Sequence, residues 1–248
     1  NAKLQRMHSA LRPLTRTILR RASAVVALSE SLRDQAAETV PEIAMAVIPN
    51  GIDTEHYRPA DAGQVGSAGP LRVVTVSRLL ERKGIHHLLE AVASPSPLDV
   101  SLRIVGTGNY ERELRHLCGQ LHLEDRVRFH GFIPPSGLPA AYQWGEVFAL
   151  PSLAESFGLV FAEAMACGLA IVGTTAGGIP SVVTTGSDGF LVEPGQPSAI
   201  RAALQRFVAD RGFARSMGAF GRSKAVEKMG WASVARSYLG VYERVLEA

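Results

Sequence analysis

Five short runs of β-branched and aliphatic residues, LRVVTVS (71–77), VSLRIVG (100–106), RVRFH (126–130), VFALP (147–151) and LAIVG (169–173), alternate with helical apolar spacing at 84–93, 109–121, 136–144 and 157–167. Near-continuous apolar character marks strands buried on both faces, and a helix between successive strands is the crossover that brings the chain back in parallel. The alternation predicts an α/β fold, a doubly wound parallel sheet, with ligands outside the carboxyl ends of the strands.

Upstream, residues 4–22 read as a helix, Ala24–Leu28 and Ala44–Ile48 as strands, and Ser29 as a helix N-cap. These elements are too few for an independent core. The stretch ADAGQVGSAGP (60–70), rich in Gly and Ala, reads as a linker. Beyond Glu193 the spacing is helical at 197–209, 211–229 and 231–247, with Gly230-Trp231 as a break. The expected domains are therefore 1–59, a linker at 60–70, a main unit at 71–230, and a last helix at 231–248.

Composition narrows the function. The 248 residues are 46% hydrophobic, enough for a sizeable core, and 26 Lys and Arg against 23 Asp and Glu leave a net charge of +3, too little to indicate nucleic acid. The excess is local: Lys3, Arg6, Arg12, Arg16, Arg20 and Arg21 have no acid among them, so helix 4–22 is a candidate for peripheral contact with an anionic membrane. Cys118 and Cys167 lie in apolar helical patterns without metal-ligand spacing, and read as buried, reduced thiols. Together with the absence of a sequon and of a signal-peptide core, they point to a cytoplasmic location, at most peripheral at the inner face of the membrane. The run Gly158–Ile179 contains Glu163 and five glycines, and reads as helix, turn and strand rather than a membrane span.

Three segments carry candidate chemistry. In LAESFGLVFAE (153–163), Glu155 and Glu163 would lie about 12 Å apart along one continuous helix, too far to share one small target. If the helix instead starts near Ser156-Phe157, the amides of Phe157, Gly158 and Leu159 form an anion site beside Glu155, and Glu163 can accept from a diol further along. Spacing alone leaves open the plainer alternative of a first-turn acid and an exposed helix-face acid. In VSRLLERKG (76–84), Arg78 and Lys83 leave one strand-to-helix loop and suit a diphosphate, while a solvated basic loop including Arg82 is the alternative. In GTGNYE (106–111), Glu111 stands where a dinucleotide fingerprint needs glycine, so Gly106 is read as a tight turn at the ligand edge. The sequence has no Asp-x-Asp pair, no phosphate loop of the GxxxxGK type and no Gly-x-Ser-x-Gly elbow.

The runs VSRLLERKG, IVGTGNYERELR, VRFHGFIP, ALPSLAESFGLVFAEAMACGLAIV, AGGIPSVV and DGFLVEPG, in this order, resemble the donor-binding half of the family 4 retaining glycosyltransferases of GT-B fold, and IPNGIDTEHYRP (48–59) resembles their interdomain crossover. The resemblance covers roughly 24–230. It implies a Rossmann-like donor domain, with residues 1–59 the remnant of an incomplete Rossmann-like acceptor-side domain and 231–248 a helix packing back toward it. It further implies catalytic roles for Arg78, Lys83 and Glu155, the two cations binding the donor diphosphate and Glu155 a hydroxyl of the sugar. Ser156, Phe157, Gly158 and Leu159 would lie near sugar and phosphate, and Glu163 would bind the ribose. Gly106, His130, Phe132 and Ile133 would border the base. The implied partner is a UDP- or GDP-hexose, the acceptor is unknown, and no cofactor or metal is required. Ser181 departs from the family pattern, which has Glu there, and Gln196 from one that has a capping Asp. On 248 residues the expected cleft has one side, with nucleotide-sugar binding and little transfer, and a missing N-terminal half or self-association to cover residues 1–50. A non-catalytic nucleotide-binding module and a sugar-nucleotide epimerase are the alternatives.

Overall fold

The computed structural model describes residues 2–60, 69–93 and 95–247, with side chains from residue 11 onward, so most of the linker expected at 60–70 lies outside the described residues. The N-terminal segment forms α1 (Ala2–Arg21), β1 (Val25–Ala27), α2 (Glu30–Ala37) and β2 (Met45–Val47), with β1 and β2 paired in parallel. Ser29 caps α2, its hydroxyl accepting from the Leu32 amide at 3.2 Å. From Leu71 the chain alternates through β3 (Leu71–Val76), α3 (Ile85–Ala93), β4 (Val100–Val105), α4 (Glu111–Gln120), β5 (Val127–Gly131), α5 (Leu138–Trp144), β6 (Val147–Ala149), α6 (Leu159–Ala166), β7 (Ala170–Thr174), α7 (Ile179–Val182) and β8 (Gly189–Val192). It closes with α8 (Pro197–Ala209), α9 (Arg211–Lys224) and α10 (Trp231–Leu246).

The six strands β3 to β8 form one parallel sheet in the order β5-β4-β3-β6-β7-β8, a doubly wound fold. All five apolar runs singled out in the sequence are strands in it. β8 escapes periodicity because it has four residues, one of them glycine. The chain builds outward from β3 to β5, then returns to the centre with β6, which pairs with β3 on its other side. Loops leaving the carboxyl ends of β3 and β6 therefore part in opposite directions, and a crevice opens between them.

The core lies on both faces of β3 and β6. Phe148 meets Phe161 edge-on at 5.3 Å between centroids and packs on Tyr142 at 5.8 Å. α6 is buried from Phe161 to Ala166, so Glu163 is a charge within an otherwise apolar helix. α6 begins at Leu159, later than the sequence suggests, because Gly158 adopts φ 89° and ψ 56°, a left-handed geometry that cannot continue into a right-handed turn. The single helix expected over 211–229 is also interrupted. After Lys224 a π turn, Ala225–Met229, places the Met229 carbonyl to accept from the Ile52 amide at 2.8 Å. The crossover is held from the same side by Arg222, whose Nη1 donates to the carbonyls of Thr54, Tyr57 and Ala166 at 2.8, 2.9 and 2.9 Å. α10 then packs Val234 and Val241 against Ile48 beside the β1–β2 pair.

Candidate functional site

Three loops meet at the crevice. The loop after β3 is joined to the loop after β6 by the Leu153 amide, which donates to the Arg82 carbonyl at 2.8 Å. Across this seam Lys83 Nζ donates to Glu155 Oε2 at 2.5 Å, with only 12% and 14% of the two side chains exposed. The other oxygen of Glu155 accepts from the Ser156 amide at 3.2 Å. The third loop, after β7, supplies the Gly178 amide, which donates to the Glu155 carbonyl at 2.9 Å. Gly177 makes this approach feasible: its φ is +55°, and a Cβ there would stand 1.9 Å from the Glu155 carbonyl oxygen. Glu155 is thus fixed through both its side chain and its backbone.

Arg78 starts the same loop as Lys83 and is exposed; among the described residues it makes no ion pair. Ser156 is exposed and Phe157 buried. The Phe161 amide is taken up by the Gly158 carbonyl at 2.9 Å, while among the described residues the amides of Phe157, Gly158, Leu159 and Val160 have no backbone acceptor.

The residues expected on the base side form a second group, at the ends of β4 and β5. The Gly106 amide donates to the Gly131 carbonyl at 2.7 Å, and the Gly106 backbone packs against the carbonyl of Ser77, where the Lys83 loop begins. Ile104 pairs with Phe129 but Val105 with Gly131, so His130 is the extra residue of a bulge and points to solvent. Partial burial and the Arg103 guanidinium hold the His130 imidazole below its ordinary pKa. Phe132 is 71% exposed and Ile133 half-buried.

Glu163 is not an exposed helix-face acid. It is 8% exposed and accepts from the buried Tyr142 hydroxyl at 2.7 Å. Burial pushes its carboxyl pKa up, against the opposing pull of Tyr142, Tyr57 and His56. A carboxyl raised in this way binds more protons folded than unfolded, so its contribution to stability is full below the ordinary value of 4.5 and is lost as pH climbs through the raised value. Glu163→Gln removes that loss. The variant is expected to melt above the wild type at pH 7.5, with the difference shrinking as pH falls to 4.5, measured by thermal denaturation across the pH range. A difference independent of pH would contradict the assignment.

Several residues at the site were not marked by the sequence. A cavity of about 400 Å³ is lined by Arg82, Glu155 and Ser156 on one side and by Ser31, Leu32 and Gln35 of α2 on the other. α2 therefore forms one side of this cavity, opposite the loops after β3 and β6. The glycine pair in AGGIPSVV was a usable signal for the loop after β7. Nothing local could have indicated α2, whose contacts to this site span more than a hundred residues of sequence.

A family model described as glycosyl transferases group 1 matches residues 59–224, and one described as Glycosyltransferase Family 4 matches residues 1–56. The chain is 32% identical over 239 residues, 88% of its length and 63% of the relative's, to the GDP-mannose-dependent alpha-(1-6)-phosphatidylinositol monomannoside mannosyltransferase of Mycolicibacterium smegmatis. It is 32% identical over 93% of its length, and 65% of the relative's, to the alpha-maltose-1-phosphate synthase of the same organism. The chain thus spans somewhat less than two thirds of these relatives. Among solved structures, the sucrose-phosphate synthase of Thermosynechococcus elongatus superposes with a TM-score of 0.84 at 28% identity, over 96% of this chain and 62% of that one. Anabaena HepE in complex with UDP-glucose gives 0.82 at 27% identity, over 95% and 68%. With the doubly wound sheet, the crevice between β3 and β6 and a matched span of two thirds of its residues, the chain belongs to the glycosyl transferases group 1 family.

Proposed function

We propose that this chain carries the donor site of a retaining, metal-independent hexosyltransferase that uses a nucleoside diphosphate sugar. The observation that supports it most is the Lys83–Glu155 contact at 2.5 Å, which sets a cation from one strand-end loop beside a carboxylate from another at the crevice where the strand order reverses. In this reading Arg78, Lys83 and the first-turn amides of α6 bind the diphosphate, Glu155 holds a sugar hydroxyl, and Glu163 receives the ribose. The base lies along His130–Ile133, where backbone contacts give weak discrimination between uracil and guanine. A GDP-mannose-dependent enzyme among the relatives and a UDP-glucose complex among the structural neighbours fit that tolerance.

Transfer proceeds by attack of an acceptor hydroxyl on the anomeric carbon, on the face the diphosphate leaves. The anomeric C–O bond to phosphate breaks, the new glycosidic C–O bond forms, and the hydroxyl proton passes to the departing phosphate oxygen. Arg78 and Lys83 stabilise the charge that grows on that oxygen, so the protein's contribution is electrostatic and positional. The test is calorimetry with UDP and GDP, followed by nucleoside diphosphate release from UDP-glucose and GDP-mannose. Binding of at least one nucleotide with release of diphosphate is the expected result. Binding without release in the presence of acceptors favours a non-catalytic module, and no binding of either nucleotide overturns the donor-site assignment.

A further inference from the structure

We propose that Ser29 and Ser181 form a clasp that fastens α2 to the sugar end of the donor site, with Ser29 as a positioning residue for the Glu155–Ser156 turn; this rests on the donor-site reading above. Ser29 is fully buried and uses both valences of its hydroxyl. The oxygen accepts from the Leu32 amide at 3.2 Å, capping α2, and the O–H donates to the Ser156 carbonyl at 3.1 Å. Ser181, in the short helix α7, accepts from the Glu30 amide at 3.2 Å. The first turn of α2 is thereby tied at two points, to the loop before α6 and to α7.

The consequence is selective because the ties sit at one end of the site. Ser156 follows Glu155, whose carboxylate accepts from the Ser156 amide and from Lys83. The Ser156 carbonyl also packs directly on the Gly178 backbone, where a Cβ would stand 2.1 Å from its oxygen, so this turn abuts the loop after β7. Among the described residues, no hydrogen bond joins the base-side residues at the ends of β4 and β5 to the clasp. Releasing it therefore loosens the grip on the hexose while leaving the nucleoside diphosphate held.

The experiment compares dissociation constants for UDP, UDP-glucose, GDP and GDP-mannose by calorimetry in wild type, Ser29→Asp, Ser29→Asn and Ser181→Ala. Aspartate keeps the N-cap acceptor but has no proton to donate to the Ser156 carbonyl; asparagine keeps both functions. Ser29→Asp is expected to weaken nucleotide-sugar binding by about fivefold relative to the matching nucleotide, the loss of roughly one hydrogen bond. Ser29→Asn is expected to restore the wild-type ratio. Ser181 is exposed, so Ser181→Ala folds regardless of what a buried aspartate does, and it is expected to shift the ratio the same way by a smaller factor. Equal weakening of nucleotide and nucleotide sugar in both variants, or an unchanged ratio in both, overturns the clasp. Failure of the wild type to bind any of the four compounds instead overturns the donor site itself.

Discussion

Replacing Lys83 with alanine weakens UDP or GDP binding by roughly ten- to a hundredfold, while Glu155→Gln leaves it unchanged or strengthens it. The opposite signs follow from one contact. Lys83 Nζ lies 2.5 Å from Glu155 Oε2, so the ammonium divides its charge between a carboxylate and whatever anion enters the crevice. Removing the ammonium deletes a charge-assisted hydrogen bond to phosphate, worth about 1.5–3 kcal/mol, and leaves a carboxylate facing the diphosphate with no cation between them. Neutralising Glu155 releases the full lysine charge to the ligand, and its penalty falls on the sugar hydroxyl. Calorimetry with the nucleotide alone separates the two, because the nucleotide lacks the hexose. Equal affinities across wild type, Lys83→Ala and Glu155→Gln would remove the diphosphate from this loop.

Gly177→Ala lowers stability by about 2–5 kcal/mol and abolishes nucleotide-sugar binding by displacing Glu155. Two penalties add at this position. The left-handed φ of +55° costs an L-residue about 1–2 kcal/mol, and a methyl 1.9 Å from the Glu155 carbonyl oxygen forces one of two backbone segments to move, at about 1–3 kcal/mol. The segment that yields breaks the bond from the Gly178 amide to the same carbonyl. Gly186 provides the control, with φ +85° and no atom within 4 Å of its Cβ position. Gly186→Ala meets the conformational penalty alone. For a chain of this size the melting temperatures are expected to fall by roughly 5–15 °C for Gly177→Ala and a few degrees for Gly186→Ala. Equal decreases in both variants would show that the close approach to Glu155 carries no weight.

The strand runs were legible because a parallel strand covered on both faces has to be apolar along its whole length, and that requirement is written into consecutive residues. Lys83 and Glu155 were legible as types, a cation and an acid each just after a predicted strand. Their contact was not, since it depends on β6 returning to pair with β3 rather than extending the other edge of the sheet. The start of α6 was misplaced by a few residues because a local pattern does not reveal that Gly158 takes a left-handed conformation. Glu163 reads from spacing as either a ligand-facing or an exposed acid; its burial beside Tyr142 arises from packing of α5 against the core.

By itself, then, the sequence determined the class of fold, the family resemblance and the chemical types grouped at the strand ends, all of which are local in the chain. Tertiary structure alone decided which of those groups touch, that α2 forms one side of the cavity, and that Ser29 and Ser181 tie it there. Bonds joining residues 127 and 151 positions apart leave no periodic trace in either partner, because each serine is also an ordinary residue in its own turn.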